Sequence, residues 1–145
     1  MDASQVIEAP YPARLKHDTG PIDGVPTKAG ATFFFDKIIV TLSQEGRLSQ
    51  WIQVPLSAPS SASVDMALVN DSLLPMSHLT PKTLLGGGGE EREALGQLYA
   101  VQIASFILRK NPDERRTLVV SLGFPTLKRD REVFFDLLEL VQKVL

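Results

Sequence analysis

Residues 38–56 read IIVTLSQEGRLSQWIQVPL. Two β-rich runs, Ile38 to Ser43 and Leu48 to Leu56, flank a polar turn, and the placement of that turn decides how they pair. A connection Gln44-Glu45-Gly46 sets Leu42 opposite Leu48, Val40 opposite Gln50 and Ile38 opposite Ile52, whereas a connection one residue shorter mixes the two faces. Hairpin loops of this length place a left-handed residue after a type I turn, and Gly46 stands where that glycine is needed. In this register Ile38, Val40, Leu42, Leu48, Ile52 and Val54 form an apolar face. The opposite face holds Ile39, Thr41, Ser49, Trp51 and Gln53, mixed in polarity but carrying the single Trp of the chain.

Upstream, Thr27 to Phe35 is a further β-rich run, separated from Ile38 by Asp36 and Lys37. Before it, residues 1–23 carry Pro10, Pro12, Pro21 and Gly20 among scattered polar groups, and are expected to be a mobile N-terminal tail with at most one short edge strand. Downstream, Ser57 to Ser63 is rich in Ser, Ala and Pro and is expected to be a flexible loop. His78 to Leu85 reads as a short strand broken by Pro81, and Gly86 to Gly89 as a loop. Glu90 to Lys110 has helical apolar spacing through Leu95, Leu98, Val101, Ile103, Phe106 and Leu108. Acidic residues lie in its first turn and basic ones in its last, and Asn111-Pro112 stops it. Thr117 to Phe124 is a strand. Lys128 to Leu145 is a second helix, apolar on one side, with Phe135 on its polar side. This order predicts one α+β domain over residues 24–145, an antiparallel, meander-rich sheet with two helices packed on one face and the other face used for dimerisation.

The composition fits one soluble-type core: 145 residues, 43% hydrophobic and 22% charged. A net charge of -2 offers no global attraction to nucleic acid. The absence of Cys excludes disulfides, thiolate nucleophiles and Cys-held metals. No apolar run has the length of a membrane span and the N-terminus does not resemble a signal peptide, so a cytoplasmic or nuclear location is expected.

Chemistry-bearing patterns are missing as well. His17 and His78 stand apart and read as ordinary surface residues, so no metal site is expected. There is no nucleophile elbow. The glycine run precedes Glu90, Glu91 and Glu93, which repel phosphate, and so reads as a hinge rather than a nucleotide loop. A carboxylate-only enzyme built on Asp65, Asp71 or Glu90 lacks any pattern that brings two of them together. We therefore expect no catalytic residues and no cofactor. Lys128, Arg129 and Arg131 form a basic cluster diluted by Asp130 and Glu132. It is either a solvated loop or, with Phe135, a contact patch for an acidic partner surface.

The stretch Gly24-Val25-Pro26-Thr27, the strand pair around Ile38 to Gly46, the run Lys82-Thr83-Leu84-Leu85-Gly86 and the helix-strand-helix end together resemble the proteasome assembly chaperone 3 family over residues 24–145. The departures are the tail before Gly24 and a longer connection around Ser57 to Met76. The resemblance implies a non-enzymatic chaperone that pairs with a related assembly chaperone, or with itself, and binds proteasome α-subunits while the α-ring forms, leaving before the core particle matures. The candidate partner-binding residues are Ile39, Trp51 and Gln53 on the sheet face and Lys128, Arg129, Arg131 and Phe135 on the last helix. A small α+β adaptor of roadblock-like or longin-like type in trafficking is the alternative with similar periodicity.

Overall fold

The computed structural model describes residues 14–57, 79–86, 88–125 and 130–145. They form six strands and two helices: β1 (Arg14–Ile22), β2 (Val25–Phe33), β3 (Lys37–Gln44), β4 (Gln50–Pro55), β5 (Lys82–Leu85), α1 (Glu90–Lys110), β6 (Thr117–Gly123) and α2 (Arg131–Gln142). The sheet order is β1-β2-β3-β6-β4-β5. Every ladder is antiparallel except the parallel pairing of β3 with β6. Both helices pack on one face, α1 over β4 and β6 and α2 over β1 and β2, so the class is α+β with a mixed, mostly antiparallel sheet.

The expected β3–β4 hairpin does not form. The chain does turn at Glu45-Gly46, both left-handed (φ 57 and 71), with Arg47 N–H donating to Gln44 O at 3.2 Å. That geometry is a type I′ turn, one residue shorter than expected. Beyond it Arg47 to Ser49 crosses the end of β6, where Ser49 N–H donates to Leu122 O at 2.9 Å, and β4 then runs down the far side of β6. Val40 faces Val120, which faces Ile52. The physical reason lies in β6: Leu118, Val120 and Leu122 are all fully buried, and a strand this apolar is most stable in the centre of a sheet, with both edges paired. Leu48, expected in the core, is exposed instead.

The N-terminal expectation is also corrected. Residues 14–22 of the supposed tail are a full strand, paired with β2 from Arg14↔Phe33 to Ile22↔Val25 through a left-handed Asp23-Gly24 turn. Its last residue, Ile22, is 1% exposed and belongs to the core. Residues 1–13 lie outside the described residues, as do 58–78, which contain most of the expected 57–63 loop.

The core sits between sheet and helices. Ala29, Ala31, Ile38, Val40, Leu42, Ile52 and Val54 meet Tyr99, Ile103 and Ile107 of α1 and Leu137, Leu140 and Val141 of α2. The buried stripe of α1 is centred on Leu95, Tyr99, Ile103 and Ile107, so Leu98 falls on its flank and is exposed, contrary to its expected place. Where the helices meet, Tyr99 stacks on Phe134 with ring centroids 5.3 Å apart.

Candidate interaction surfaces

The sheet face turned away from the helices carries the first group of sequence-predicted residues. Ile39, Trp51 and Gln53 all lie on it, because buried and half-buried positions alternate along β3 and β4 and the even-numbered set faces the core. They are not the direct neighbours that a hairpin would make them. One row across the sheet runs Thr32, Ile39, Val119, Gln53 and Lys82, and the next runs Gly30, Thr41, Ser121, Trp51 and Leu85. Val119 and Ser121 were missed by sequence reasoning since no local pattern places β6 between β3 and β4. Leu85 was missed because its strand had no assigned neighbour.

The face is mixed along its whole width: a half-buried Trp51 stands beside a Leu85 that is 66% exposed, Gln53 and Lys82 fill the adjacent row, the middle carries Gly30, Thr32 and Thr41, and β1 continues the two rows with an exposed Leu15 and His17. Ser43 and Ser121 both have buried hydroxyls on this face without a hydrogen-bond partner among the described residues. No described helix covers it, both helices being on the opposite side.

The second predicted group is elsewhere, at the start of α2. Asp130 caps this helix, its Oδ1 accepting from Glu132 N–H at 2.8 Å, so the helix begins at Arg131 rather than Lys128. The Arg131 guanidinium lies 5.8 Å from the centre of the exposed Phe135 ring, which meets Phe134 edge-on. Beside them a shallow groove of about 390 Å³ is lined by Leu95, Leu98, Tyr99, Gln102, Asp130, Arg131 and Phe134. Burial, assisted by the Asp130 carboxylate, pushes the Tyr99 phenol above its ordinary pKa, so it stays a neutral wall of the groove. Lys128 and Arg129 lie outside the described residues. The described members of the two predicted groups thus lie on separate surfaces, on opposite sides of the sheet.

Among the described residues no three His, Cys, Asp or Glu side chains come together as a metal cage, and no helix is long and apolar enough to cross a membrane. Glu90 is exposed at the start of α1, His17 is exposed on β1, and His78, Asp65 and Asp71 lie outside the described residues. The most strongly organised ion pair is structural: Arg116 grips Glu114 with two N–H groups at 2.7 and 2.9 Å and donates to Phe34 O at 3.2 Å, tying the α1–β6 loop to the β2–β3 turn.

No protein-family model matches the chain, and no curated protein matches it either. Among solved structures it is similar to a chain from the crystal structure of a chaperone complex for yeast 20S proteasome assembly, with a TM-score of 0.62, 15% identity, and coverage of 91% of this chain and 97% of that one. At that identity the likeness is one of fold: the six strands and two helices described above have the architecture of a subunit of a proteasome-assembly chaperone complex.

Proposed function

We propose that this protein is a non-catalytic chaperone of proteasome core-particle assembly, acting on the α-ring by binding α-subunits and working as one half of a pair with a related chaperone or a second copy of itself. The observation that carries the reading is the fold likeness to a proteasome-assembly chaperone subunit over nearly the whole of both chains. The sequence supports it independently, through the resemblance of residues 24–145 to assembly chaperone 3 and the lack of any nucleophile, metal or phosphate motif. The pairing surface in this reading is the helix-free sheet face around Ile39, Val119, Trp51 and Gln53. Arg131 and Phe135, with Lys128 and Arg129 preceding them in sequence, form the second contact. The proposed site of action is the cytoplasm, with the nucleus as a second compartment.

Affinity purification of the tagged full-length chain from cells of its source tests the reading. Recovery of proteasome α-subunits without β-subunits is the expected result. Recovery of trafficking GTPases or vesicle components, with no α-subunits, would assign the chain to the adaptor class and overturn the proposal.

A further inference from the structure

The end of the sheet where β2 turns into β3 has features that the pairing face does not use. Phe34 and Phe35 form the tip of that turn, and Phe35 is fully exposed. Just inside the tip two guanidinium groups lie over the Phe33 ring, Arg14 at 4.5 Å and Arg116 at 5.9 Å from its centre. Behind Phe33 a cleft of about 270 Å³ runs to Lys110 at the end of α1. Its two Arg side chains are not equivalent. Arg116 is neutralised by the bidentate Glu114 carboxylate, while Arg14 has no carboxylate partner among the described residues. Lys110 is engaged as well, donating to O of Leu145, which lines the same cleft, at 3.0 Å, so Arg14 is the cation of the cleft without an acceptor among the described residues.

We infer that this cleft is a second docking site, one that takes an acidic peptide segment of a protein partner: a carboxylate on Arg14, in the positive field that Lys110 adds, and a neighbouring apolar side chain against Phe33 and the Phe35 tip. The inference does not depend on the assembly-chaperone reading, since it uses neither the helix-free face nor α2. Charge complementarity selects the occupant. A guanidinium held over an aromatic ring, as Arg14 is over Phe33, is restrained in position while its N–H groups stay available to a carboxylate. An anionic membrane is a poorer match, as surface adsorption requires several unpaired cations on a convex face, whereas here the cations line a concavity and Arg116, Lys37 and Lys110 are already engaged, by Glu114, Asp36 and Leu145 O, which leaves one guanidinium for one carboxylate.

The test uses the full-length protein and short fluorescein-labelled peptides in which Glu alternates with Leu, with Lys replacing Glu in one control and Ser replacing Leu in another. Anisotropy is expected to show binding of the Glu/Leu peptide, weakened roughly tenfold by Arg14→Glu or by Lys110→Glu and unaffected by Arg47→Glu at the opposite end of the sheet. Phe35→Ser, at a fully exposed site that leaves the fold untouched, is expected to weaken the Glu/Leu peptide and not the Glu/Ser one. Equal binding of the Lys and Glu peptides, or affinity indifferent to both charge reversals in variants with unchanged circular dichroism, would overturn the proposal. So would co-flotation with phosphatidylserine vesicles that depends on Phe35 in a protein that ignores the acidic peptide.

Discussion

Gly123 needs the space of its missing side chain. A Cβ there would collide with the backbone carbonyl of Arg47, where the chain crosses the end of β6. Gly46 is the converse case, with open space around it and a φ of +71 that disfavours any L side chain. Alanine should therefore cost about 2–3 kcal/mol at Gly123, since backbone cannot step aside, but only about 1 kcal/mol at Gly46, with urea unfolding midpoints as the measure. Only Gly46 was legible in the sequence, because turn glycines announce themselves through their neighbours whereas a crossing glycine depends on a contact 76 positions away in Arg47. Glu114 yields a pH prediction. The Arg116 guanidinium, helped by the backbone N–H groups of Arg115 and Arg116, holds its carboxyl below the ordinary glutamate range against the opposing effect of burial. A depressed carboxylate contributes stability that is fully present above its unfolded pKa and is lost as pH falls through the folded value. Glu114→Gln should accordingly lower stability at neutral pH by about 1–2 kcal/mol, and the deficit should shrink as the pH drops below about 4.5. A deficit constant from neutral to acid pH would remove the ion pair as its cause.

Among the elements, α1 was the most legible and β6 the least. The bounds of α1 were readable because its acidic first turn, basic last turn and Asn111-Pro112 stop are all local signals. β1 was legible in principle, since Asp23-Gly24 is a strong two-residue hairpin signal, but Gly20 and Pro21 masked it; both sit in the strand, where Gly20 gives Leu140 of α2 its seat 3.3 Å from a would-be Cβ. The place of β6 was not legible at all, because a strand entering between β3 and β4 obeys burial summed over the whole sheet rather than the turn chemistry of residues 44–46. The same distinction separates two neighbours on α2. Leu137 is 1% exposed and Leu137→Ala should cost about 3 kcal/mol, whereas Phe135 is 55% exposed and Phe135→Ala should leave stability within about 0.5 kcal/mol of the parent. If Phe135 is a partner contact, that stable variant will lose affinity for α-subunits in a pull-down. Unchanged recovery of them by a normally folded Phe135→Ala protein would take it out of the interface.

For the whole molecule the decisive feature is a six-stranded sheet with both helices on one side. Such a sheet keeps one face toward solvent without penalty when that face is polar, as antiparallel sheets often do. Here only part of it is: His17, Thr32, Thr41, Gln53 and Lys82 ask for water, while Leu15, Ile39, Val119, Trp51 and Leu85 do not. A face of that mixture suits a partner that comes and goes, since interfaces of non-obligate pairs are about as apolar as ordinary surface, and their energy concentrates in a few aromatic anchors. Trp51 is the one Phe, Trp or Tyr on these two rows, and it lies toward β5, beside Leu85. Truncating an anchor of this kind typically costs about 2 kcal/mol or more of binding energy, and a carboxylate in its place adds the penalty of burying an unpaired charge. Trp51→Glu should therefore leave the monomer folded, because the core is built on the even-numbered face of β4, and should abolish association of the chain with itself or with a related chaperone. Mass measured by light scattering, alone and with the candidate partner, reads the outcome. A covering of Trp51 by the chain's own residues predicts the opposite pattern: lower stability with unchanged mass. A folded Trp51→Glu protein that associates as the parent does would move the pairing surface off this face, and the cleft at Arg14 and Lys110 would then be the next surface to mutate.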